Sequence, residues 1–170
     1  IISDEIISLK NPISTDLNTM RPSTLPNLLE AINQNKARMY LRAKIFEVGP
    51  NFSKSLPDQQ ENVATAIAYG SSDEQNWLSN KKNINVFSIK ADLFAILANL
   101  NVPIDNLFYE KLEGQIYHPG KSSSLRLGKH KIANFGELHP ILLKTMDINF
   151  NVFGFEIYLE NISQFQENKS

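Results

Sequence analysis

Strict alternation of side-chain type in two stretches constrains this chain more than any other feature of its sequence. Between residues 63 and 69 larger side chains alternate with Ala64, Ala66 and Ala68, and between residues 153 and 160 apolar side chains alternate with glycine or polar ones. A period of two puts successive side chains on opposite faces of a strand, so both stretches predict strands, the second of them half-buried. The alanine face of the first strand would let a helix pack closely against it.

Three segments show a helical period or a helical start signal. In the first two, apolar residues recur at i, i+3, i+4 and i+7, which predicts one buried stripe for each helix. The third opens on a proline, which suits the first helical position because its missing N–H needs no partner there. The predicted helices run from a Ser23 cap to residues 35–36, from a Ser88 cap to residues 101–103, and from Pro140 to Met146.

The remaining strand signals complete the prediction of an α+β domain. Strands are predicted at 6–10, 41–48, 63–69, 107–112, 124–127, 131–137 and 153–159, with Gly49-Pro50-Asn51 ending the second and Gly128-Lys129 turning a hairpin. Because hairpin-length connections join several of these strands, we expect a mainly antiparallel sheet flanked by helices. No repeat or low-complexity linker divides the chain, so residues 1–163 are predicted to form one core domain and residues 164–170 a frayed polar tail.

Composition and charge exclude several kinds of function. The chain has 17 basic and 18 acidic residues, a formal net charge of −1 and no cysteine. Disulfides and thiolate metal sites are therefore excluded, and a cytoplasmic location is predicted. No stretch approaches the roughly 20 apolar residues of a membrane span. The densest basic stretch, residues 121–131, predicts a solvated hairpin rather than an RNA-binding surface. Because the chain opens on a predicted strand without a methionine, we expect it to be a piece of a longer protein.

Familiar catalytic patterns fail on their spacing. Gly120-Lys121-Ser122 looks like the end of a phosphate-binding loop, but Gln115 stands where the pattern requires glycine, and a predicted strand follows instead of a helix. The three histidines lack zinc-binding spacing, and the Gly-x-Ser-x-Gly nucleophile turn is absent. Glu156 and Glu160 are predicted to lie on a solvated strand face. The residues alone therefore predict an α+β domain without a recognised catalytic centre.

Six segments in colinear order resemble bacterial phenylalanyl-tRNA synthetase β chains. They are N-P-I-S at 11–14 with M-R-P-S-T-L-P-N-L-L-E at 20–30, F-E-V-G at 46–49, the helix at 87–100, Y-H-P-G-K-S at 117–122, F-G-E-L-H-P at 135–140, and the strand at 152–159. Each match is weak alone, but together they span nearly the whole chain. Pro22 and Asn27 depart from the commoner family residues, so the entry to the first helix is expected to differ slightly.

The resemblance implies a fold like the catalytic domain of class II aminoacyl-tRNA synthetases, an antiparallel sheet flanked by helices. It also implies an α2β2 parent enzyme, a phenylalanine–tRNA ligase that uses ATP and magnesium, acts on tRNA and carries its catalytic site on the α subunit. Class II activation needs an arginine in an Arg-x-Glu setting, and a second one late in the fold, to stabilise phosphate charge. Arg42-Ala43-Lys44 lacks that glutamate, and no arginine follows Arg126. We therefore expect no catalytic residue and no cofactor in this chain.

The role expected from the resemblance is architectural, as a non-catalytic core that supports assembly with the α subunit. The candidate interface residues are Met20, Arg21, Leu25 and Leu28. Structural roles are expected for the motif residues Glu47, Gly49, His118, Gly120, Glu137 and His139. Two alternatives stay open: a degenerate synthetase fold that keeps a nucleotide or amino acid site, and an independent tRNA-binding module, whose affinity would fall steeply with salt.

Overall fold

The computed structural model describes residues 7–8, 19–20, 23–52, 60–70 and 83–167. The strands are β1 (Ile7–Ser8), β2 (Thr19–Met20), β3 (Ala43–Phe52), β4 (Gln60–Tyr69), β5 (Phe108–Glu110), β6 (Tyr117–Leu127), β7 (His130–Leu138) and β8 (Val152–Tyr158). The helices are α1 (Leu25–Ala37), α2 (Val86–Asn99), α3 (Pro140–Thr145) and α4 (Leu159–Glu167), with a short 3-10 turn at Ile104–Asn106. In the described parts of the chain, no helix has the length and apolar character that crossing a membrane requires.

One six-stranded sheet organises the fold. Its strand order is β3-β4-β8-β7-β6-β5, and every neighbouring pair is antiparallel. β1 and β2 form a separate two-stranded ladder. The predicted α+β architecture, a mainly antiparallel sheet flanked by helices, is confirmed.

Helices cover both faces of the sheet. On one face, here called the α2 face, α2 and α4 pack on strand residues that include Leu125, Phe135, Phe155 and Ile157. On the opposite face, the α1 face, the predicted leucine stripe of α1 packs with Ile67, Tyr69 and Val152, and α3 adds Leu143. The sheet is therefore the middle layer of three, and its central strands are buried on both sides.

Several strand bounds differ from the prediction, and the largest difference is that β6 begins at Tyr117 rather than at residue 124. β3 continues through Gly49-Pro50-Asn51 to Phe52, because it is an edge strand and a proline without an N–H is tolerated there. β8 ends at Tyr158, and α4 begins at Leu159, so Glu160 is helical rather than on a strand face. The first residues of the predicted tail, 164–167, belong to α4, and residues 168–170 lie outside the described part of the chain.

Helix capping also differs in detail from the prediction. The N-cap of α1 is Thr24, while the Ser23 hydroxyl accepts a hydrogen bond from the N–H of Leu25 at 3.1 Å. In α2 the cap is Asn85, whose side-chain oxygen accepts the N–H of Ser88 at 3.0 Å, so the helix begins one turn earlier than predicted. The predicted start of α3 at Pro140 is confirmed.

Candidate functional site

A line of polar side chains crosses the α1 face of the sheet from one edge to the other. Directly paired residues on antiparallel strands project to the same face, so the register places these side chains side by side. The members of this polar row, in strand order, are Glu47, Thr65, Glu156, Asn134, Ser124 and Glu110. Each of the six strands therefore contributes one polar residue to a single line.

The four central members of the polar row are buried. Thr65, Glu156, Asn134 and Ser124 expose only 1%, 6%, 5% and 2% of their surface. The prediction that Glu156 lies on a solvated face was wrong, because alternation alone does not reveal that β8 is a central strand with both faces covered. Buried polar groups are costly unless they are hydrogen-bonded, so their partners decide the character of this site.

Most of the buried side chains in the polar row have hydrogen-bond partners, but one acceptor atom has none. The hydroxyl of Thr24 donates to the hydroxyl of Thr65. The Tyr117 hydroxyl donates to the Glu156 carboxylate at 3.3 Å, and the Asn134 amide nitrogen donates to the Tyr158 hydroxyl at 2.9 Å. The side-chain oxygen of Asn134 is buried and has no hydrogen-bond partner. The centre of the row is therefore richer in acceptors than in donors.

Burial controls the electrostatics of this site. It raises the pKa of the Glu156 carboxyl, and the charge of Lys131 and hydrogen bonds from Tyr117 and Asn134 partly offset that effect. Burial also raises the pKa of the Tyr117 hydroxyl, and the Glu156 charge adds to the rise. The pKa of Lys131 is lowered by burial, and its ammonium group lies 4.9 Å from the ring centre of Tyr158. The polar row thus holds a desolvated carboxylate, and a partly desolvated cation, Lys131, lies on the neighbouring rung.

No arginine belongs to the polar row. The described residues include Arg38, Arg42 and Arg126, and only Arg126 lies beside the row, on the adjacent rung opposite Lys131. Its guanidinium donates to the Glu110 carboxylate at 3.0 Å and to the Lys129 carbonyl at 2.7 Å. The row instead contains three glutamates and no cationic side chain that could neutralise a bound phosphate.

The two most distinctive sequence motifs meet at one end of β6 and β7. Tyr117 pairs with Leu138, but regular pairing resumes only at Ser122 and Gly136, so the intervening residues of β6 bulge outward. The bulge is held by its own hydrogen bonds, because the Ser122 hydroxyl donates to the His118 carbonyl at 2.7 Å and the Gly120 N–H donates to His118 Nδ1 at 3.1 Å. We call this unit, residues 117–122 with 135–140, the motif junction.

Contacts between the two motifs fix the motif junction. Lys121 forms an ion pair with Glu137 at 2.8 Å, in which the lysine side chain is 51% exposed and the glutamate side chain 7%. The rings of His118 and His139 stack with their centres 6.2 Å apart, and His139 Nδ1 accepts the N–H of Ile141 at the start of α3. In the described part of the chain no cluster of three or more histidine, aspartate or glutamate side chains could hold a metal ion.

The candidate interface residues fall in different environments. Leu25 and Leu28 are 3% and 4% exposed and pack in the core beneath α1, so their side chains contact this chain rather than a partner. Met20 lies in β2, where it pairs with Ile7, and Arg21 lies outside the described residues. Of the remaining motif residues, Glu47 belongs to the polar row and Gly49 pairs with Val63 in β3.

A large exposed apolar surface was not anticipated from the sequence. Its most exposed members follow one another from the end of α1 into β3, and they are Met39, Tyr40, Leu41, Phe46 and Val48. Hydrophobic periodicity predicts which residues share a face, but it does not show whether another element covers that face. Phe46 and Val48 lie on β3, which the strand order places at the edge of the sheet.

Two solved structures with a similar fold are pyrrolysyl-tRNA synthetases. A pyrrolysyl-tRNA synthetase from Desulfitobacterium hafniense superposes with a TM-score of 0.70 at 14% identity, covering 96% of this chain and 54% of that one. A second structure of the enzyme from the same organism gives a TM-score of 0.66 at 13% identity with the same coverage. At this identity the likeness shows the fold alone, which is the class II synthetase fold that the resemblance implied.

Relatives by sequence agree with one another. The chain is 38% identical over 156 residues to the phenylalanine–tRNA ligase β subunit of Rhodospirillum rubrum, covering 92% of this chain and 20% of that subunit. It is 40% identical over 152 residues to the β subunit of Paramagnetospirillum magneticum, covering 89% and 19%. The chain thus spans about a fifth of the length of the curated relatives it matches. Residues 2–159 match the family model described as the phenylalanyl-tRNA synthetase β chain CLM domain, and the chain therefore belongs to that family.

Proposed function

We propose that this chain is the non-catalytic structural core of a phenylalanyl-tRNA synthetase β subunit. In this role it supports assembly with a catalytic α subunit, which ligates phenylalanine to tRNA at the expense of ATP and magnesium. The identity of the parent enzyme follows from family membership. The polar side chains of the sheet support the assignment of catalysis to the α subunit rather than to this chain. In this proposal the chain keeps the class II synthetase fold, but the side chains on its sheet are not those that amino acid activation requires.

The polar row is the observation that carries this proposal. Activation of an amino acid with ATP requires cationic groups aimed at the developing phosphate charge, and their contribution is the main catalytic term. The polar row holds glutamates instead of cationic side chains, namely Glu47, Glu156 and Glu110. Arg126 and Lys131, on the neighbouring rung, are already engaged with Glu110 and with the Tyr158 ring.

Tyr117 supports the same conclusion by its position. Its backbone pairs with Leu138, two residues beyond Gly136 on β7, yet its hydroxyl reaches Glu156 on the polar row. The ring therefore extends along the α1 face across the rung formed by Gly136 and Gly154. Space that a substrate would need above these two glycines is used by a side chain of the protein itself.

The test combines an activity with an assembly measurement. The 170-residue chain alone is assayed for phenylalanine-dependent exchange of pyrophosphate into ATP, and no exchange above background is expected. In parallel, the matching segment of the Rhodospirillum rubrum β subunit is replaced by this chain, and the chimera is purified with the Rhodospirillum rubrum α subunit. A complex that retains exchange activity supports the proposal. Exchange catalysed by the chain alone, or a soluble chimera that no longer binds the α subunit, would refute it.

A residual ligand site is the second candidate, and one observation favours it. The unpartnered side-chain oxygen of Asn134 lies beside the Glu156 carboxylate in the polar row, so a small molecule with an ammonium group would find two acceptors there. Phenylalanine has such a group, whereas the phosphates of ATP would meet the row's negative charge. Titration calorimetry of the chain with phenylalanine and with ATP separates the outcomes, and Asn134→Leu should abolish any phenylalanine signal.

A further inference from the structure

The helices on the α2 face cover only part of the sheet. On this face α2 packs on β7 and β8, and α4 packs on β7 and β4. Ala68 of β4 is fully buried there, whereas Ala64 and Ala66 are half-buried. Beside them on β3, Phe46 and Val48 project to the same face and are 76% and 58% exposed. The helical layer therefore stops short of the two outer strands.

The two outer strands and the flank of α2 enclose a groove, here called the β3 groove, with a volume of about 530 Å3. Its lining is mostly apolar and includes the exposed Phe46 and Val48. The lining also includes Ile89, Phe155 and Ile157, which are buried members of the core on this face. The β3 groove is therefore an opening into the core and not only a depression of the surface.

The dimensions of the β3 groove fit one helix. Two neighbouring strands span about 10 Å, which is also about the diameter of a helix. From Lys44 to Val48 the strand rises about 13 Å, a distance that about nine helical residues cover. The Lys44–Asp92 ion pair, at 2.6 Å, joins β3 to α2 and limits the groove at one end. Because the side chains of β4 in the groove are alanines, one further helix could approach closely and complete the layer.

An open groove beside an edge strand exposes a folding chain to aggregation. β3 is ten residues long and lies at the edge of the six-stranded sheet. Met39, Tyr40 and Leu41 lead directly into it and are 77%, 59% and 78% exposed. Exposed apolar edge strands pair with other chains, and native proteins cover them for that reason. A cover that belongs to the same polypeptide removes this risk before the subunit meets any partner.

A second copy of this chain is a poor occupant. A groove is filled by a convex apolar element, and the described helices do not offer one on their exposed sides. The exposed residues of α1 include Asn27, Glu30 and Gln34, those of α4 include Ser163 and Gln164, and α3 is only six residues long. α2 already forms one wall of the groove. The occupant should therefore come from a different sequence.

The remaining length of the β subunit favours an occupant from the same polypeptide. This chain spans about a fifth of the length of its curated relatives, so about four-fifths of those subunits lies outside the matched part. In the solved structures with a similar fold, the superposed part is 54% of a single chain, so further residues of the same polypeptide accompany the sheet there as well. A covalently linked segment meets the groove at an effective concentration of the order of millimolar, whereas a separate α subunit has to be captured from solution.

We propose that the β3 groove receives one amphipathic helix from the part of the β subunit that lies outside this chain. The inference rests on the β-subunit assignment in the proposed function, and it describes a contact within that subunit which forms without the α subunit. The helix should carry apolar side chains at i, i+3 or i+4, and i+7, because these positions form one stripe along a groove of this length. A charged residue at one end of the helix can meet the exposed Lys44–Asp92 pair.

Thiol labelling tests whether the β3 groove is covered in the absence of the α subunit. This chain has no cysteine, so Val48→Cys and the control Tyr109→Cys, at positions 58% and 54% exposed, each introduce one thiol into it. Both variants are placed in the chimeric β subunit, and maleimide labelling of each thiol is followed by peptide mass spectrometry, with the rate in concentrated urea as the reference. We expect several-fold slower labelling than in urea for Val48→Cys and nearly the urea rate for Tyr109→Cys. Equal protection of the two thiols, no protection of either, or protection of Val48→Cys that appears only after the α subunit is added would overturn the proposal.

Matched aspartate substitutions test whether apolar contacts hold the cover in place. Phe46→Asp puts a charge into the β3 groove, whereas Phe108→Asp alters a comparably exposed aromatic residue, at 66%, on the opposite edge strand β5. Neither change should disturb the folding of this chain, because both side chains are exposed. In the chimera that carries Val48→Cys, Phe46→Asp should remove most of the protection of the thiol, and Phe108→Asp should leave it unchanged. Equal labelling rates in the two double variants would contradict the inference.

Photo-cross-linking identifies the occupant. A benzophenone-bearing phenylalanine analogue is introduced at position 46 of the chimera and activated both in the β subunit alone and in its complex with the α subunit. In both samples we expect cross-linked peptides from the Rhodospirillum rubrum part of the chimera. Peptides from this chain, whether of the same or of a second copy, or from the α subunit would overturn the proposal. If the chimera does not bind the α subunit, the proposed function fails, but labelling and cross-linking of the β subunit alone still decide this inference.

Discussion

Gly136→Ala should be among the most damaging single-methyl changes in this chain. Gly136 joins the two halves of the motif junction, and its φ of 155° is one that side chains rarely adopt. A Cβ at this position would lie 2.5 Å from the Lys121 carbonyl oxygen and 2.5 Å from the Ser122 Cβ. Both atoms belong to the paired strand β6, so relief of the clash requires the strands themselves to move apart.

The expected loss of folding free energy on Gly136→Ala has two parts. Holding alanine in a sparsely populated backbone conformation costs about 1–3 kcal/mol. Forcing a methyl group into a filled space costs about 1–3 kcal/mol more. Gly114→Ala is the matched control, because Gly114 has a φ of 126° but nothing within 4 Å of the added Cβ. The entropy that alanine removes from the unfolded chain is the same in both variants, so it cancels from their difference.

Urea denaturation measures that difference. With a denaturant slope of about 2 kcal/mol per molar, an extra cost of about 2 kcal/mol lowers the midpoint of Gly136→Ala by about 1 M relative to Gly114→Ala. Circular dichroism and tyrosine fluorescence should give the same midpoint if unfolding is two-state. Coinciding midpoints for the two variants would refute the reasoning, because they would mean that the close approach of β6 to Gly136 carries no energetic weight.

Three further changes test the buried polar groups. Lys121→Ala removes the ion-pair partner of the buried Glu137 and should lower the free energy of unfolding, measured in urea, by about 2 kcal/mol. Adding Glu137→Gln should recover most of this loss, and no recovery would contradict the pairing. Glu156→Gln should stabilise the chain at pH 7 by about 1 kcal/mol. Because burial raises the folded-state pKa of Glu156 above its unfolded value, the contribution of Glu156 to stability is fully present at low pH and is lost as the pH rises through the folded-state pKa. Urea titrations from pH 4 to 8 should therefore show that the variant gains stability relative to the wild type as the pH rises. Thr24→Val removes the donor to the Thr65 hydroxyl and should cost about 1 kcal/mol in thermal melts, whereas an unchanged melting temperature would count against that bond.

Much of the fold follows from local patterns. The stripe of α1, the alternation of β4 and β8, the hairpin between β6 and β7 and the proline start of α3 all agree with the sequence, because each is set by short-range periodicity or backbone chemistry. The predictions that were wrong concern features that depend on where a strand lies in the sheet. Pro50 reads as a strand terminator, yet it continues β3 because that strand forms an edge.

The candidate site was less predictable than the fold. The polar row depends on the register of five strand pairs, and no single segment of sequence contains that information. Glu156 illustrates the limit, because its alternation with Phe155 and Ile157 is the same whether the glutamate is solvated or buried. The helix-packing face of β4 was closer to prediction, since its alanine stripe would let a helix pack closely, but the sequence did not show that Ala64 and Ala66 stay half-buried.

If this chain is non-catalytic, as proposed, the chemistry of the polar row indicates that its lack of activity does not depend on one missing residue. An arginine placed at position 47 would stand next to Thr65 and two strands from the buried Glu156. In that low-dielectric setting the carboxylate, rather than a transient phosphate, would be its preferred partner. Tyr117 would still extend across the Gly136–Gly154 rung and hold Glu156 in place. Several residues on four strands would have to change together before the α1 face could bind ATP. The interactions that satisfy this face also stabilise the sheet, so in the proposed non-catalytic role the residues of the former site contribute to the stability of the chain.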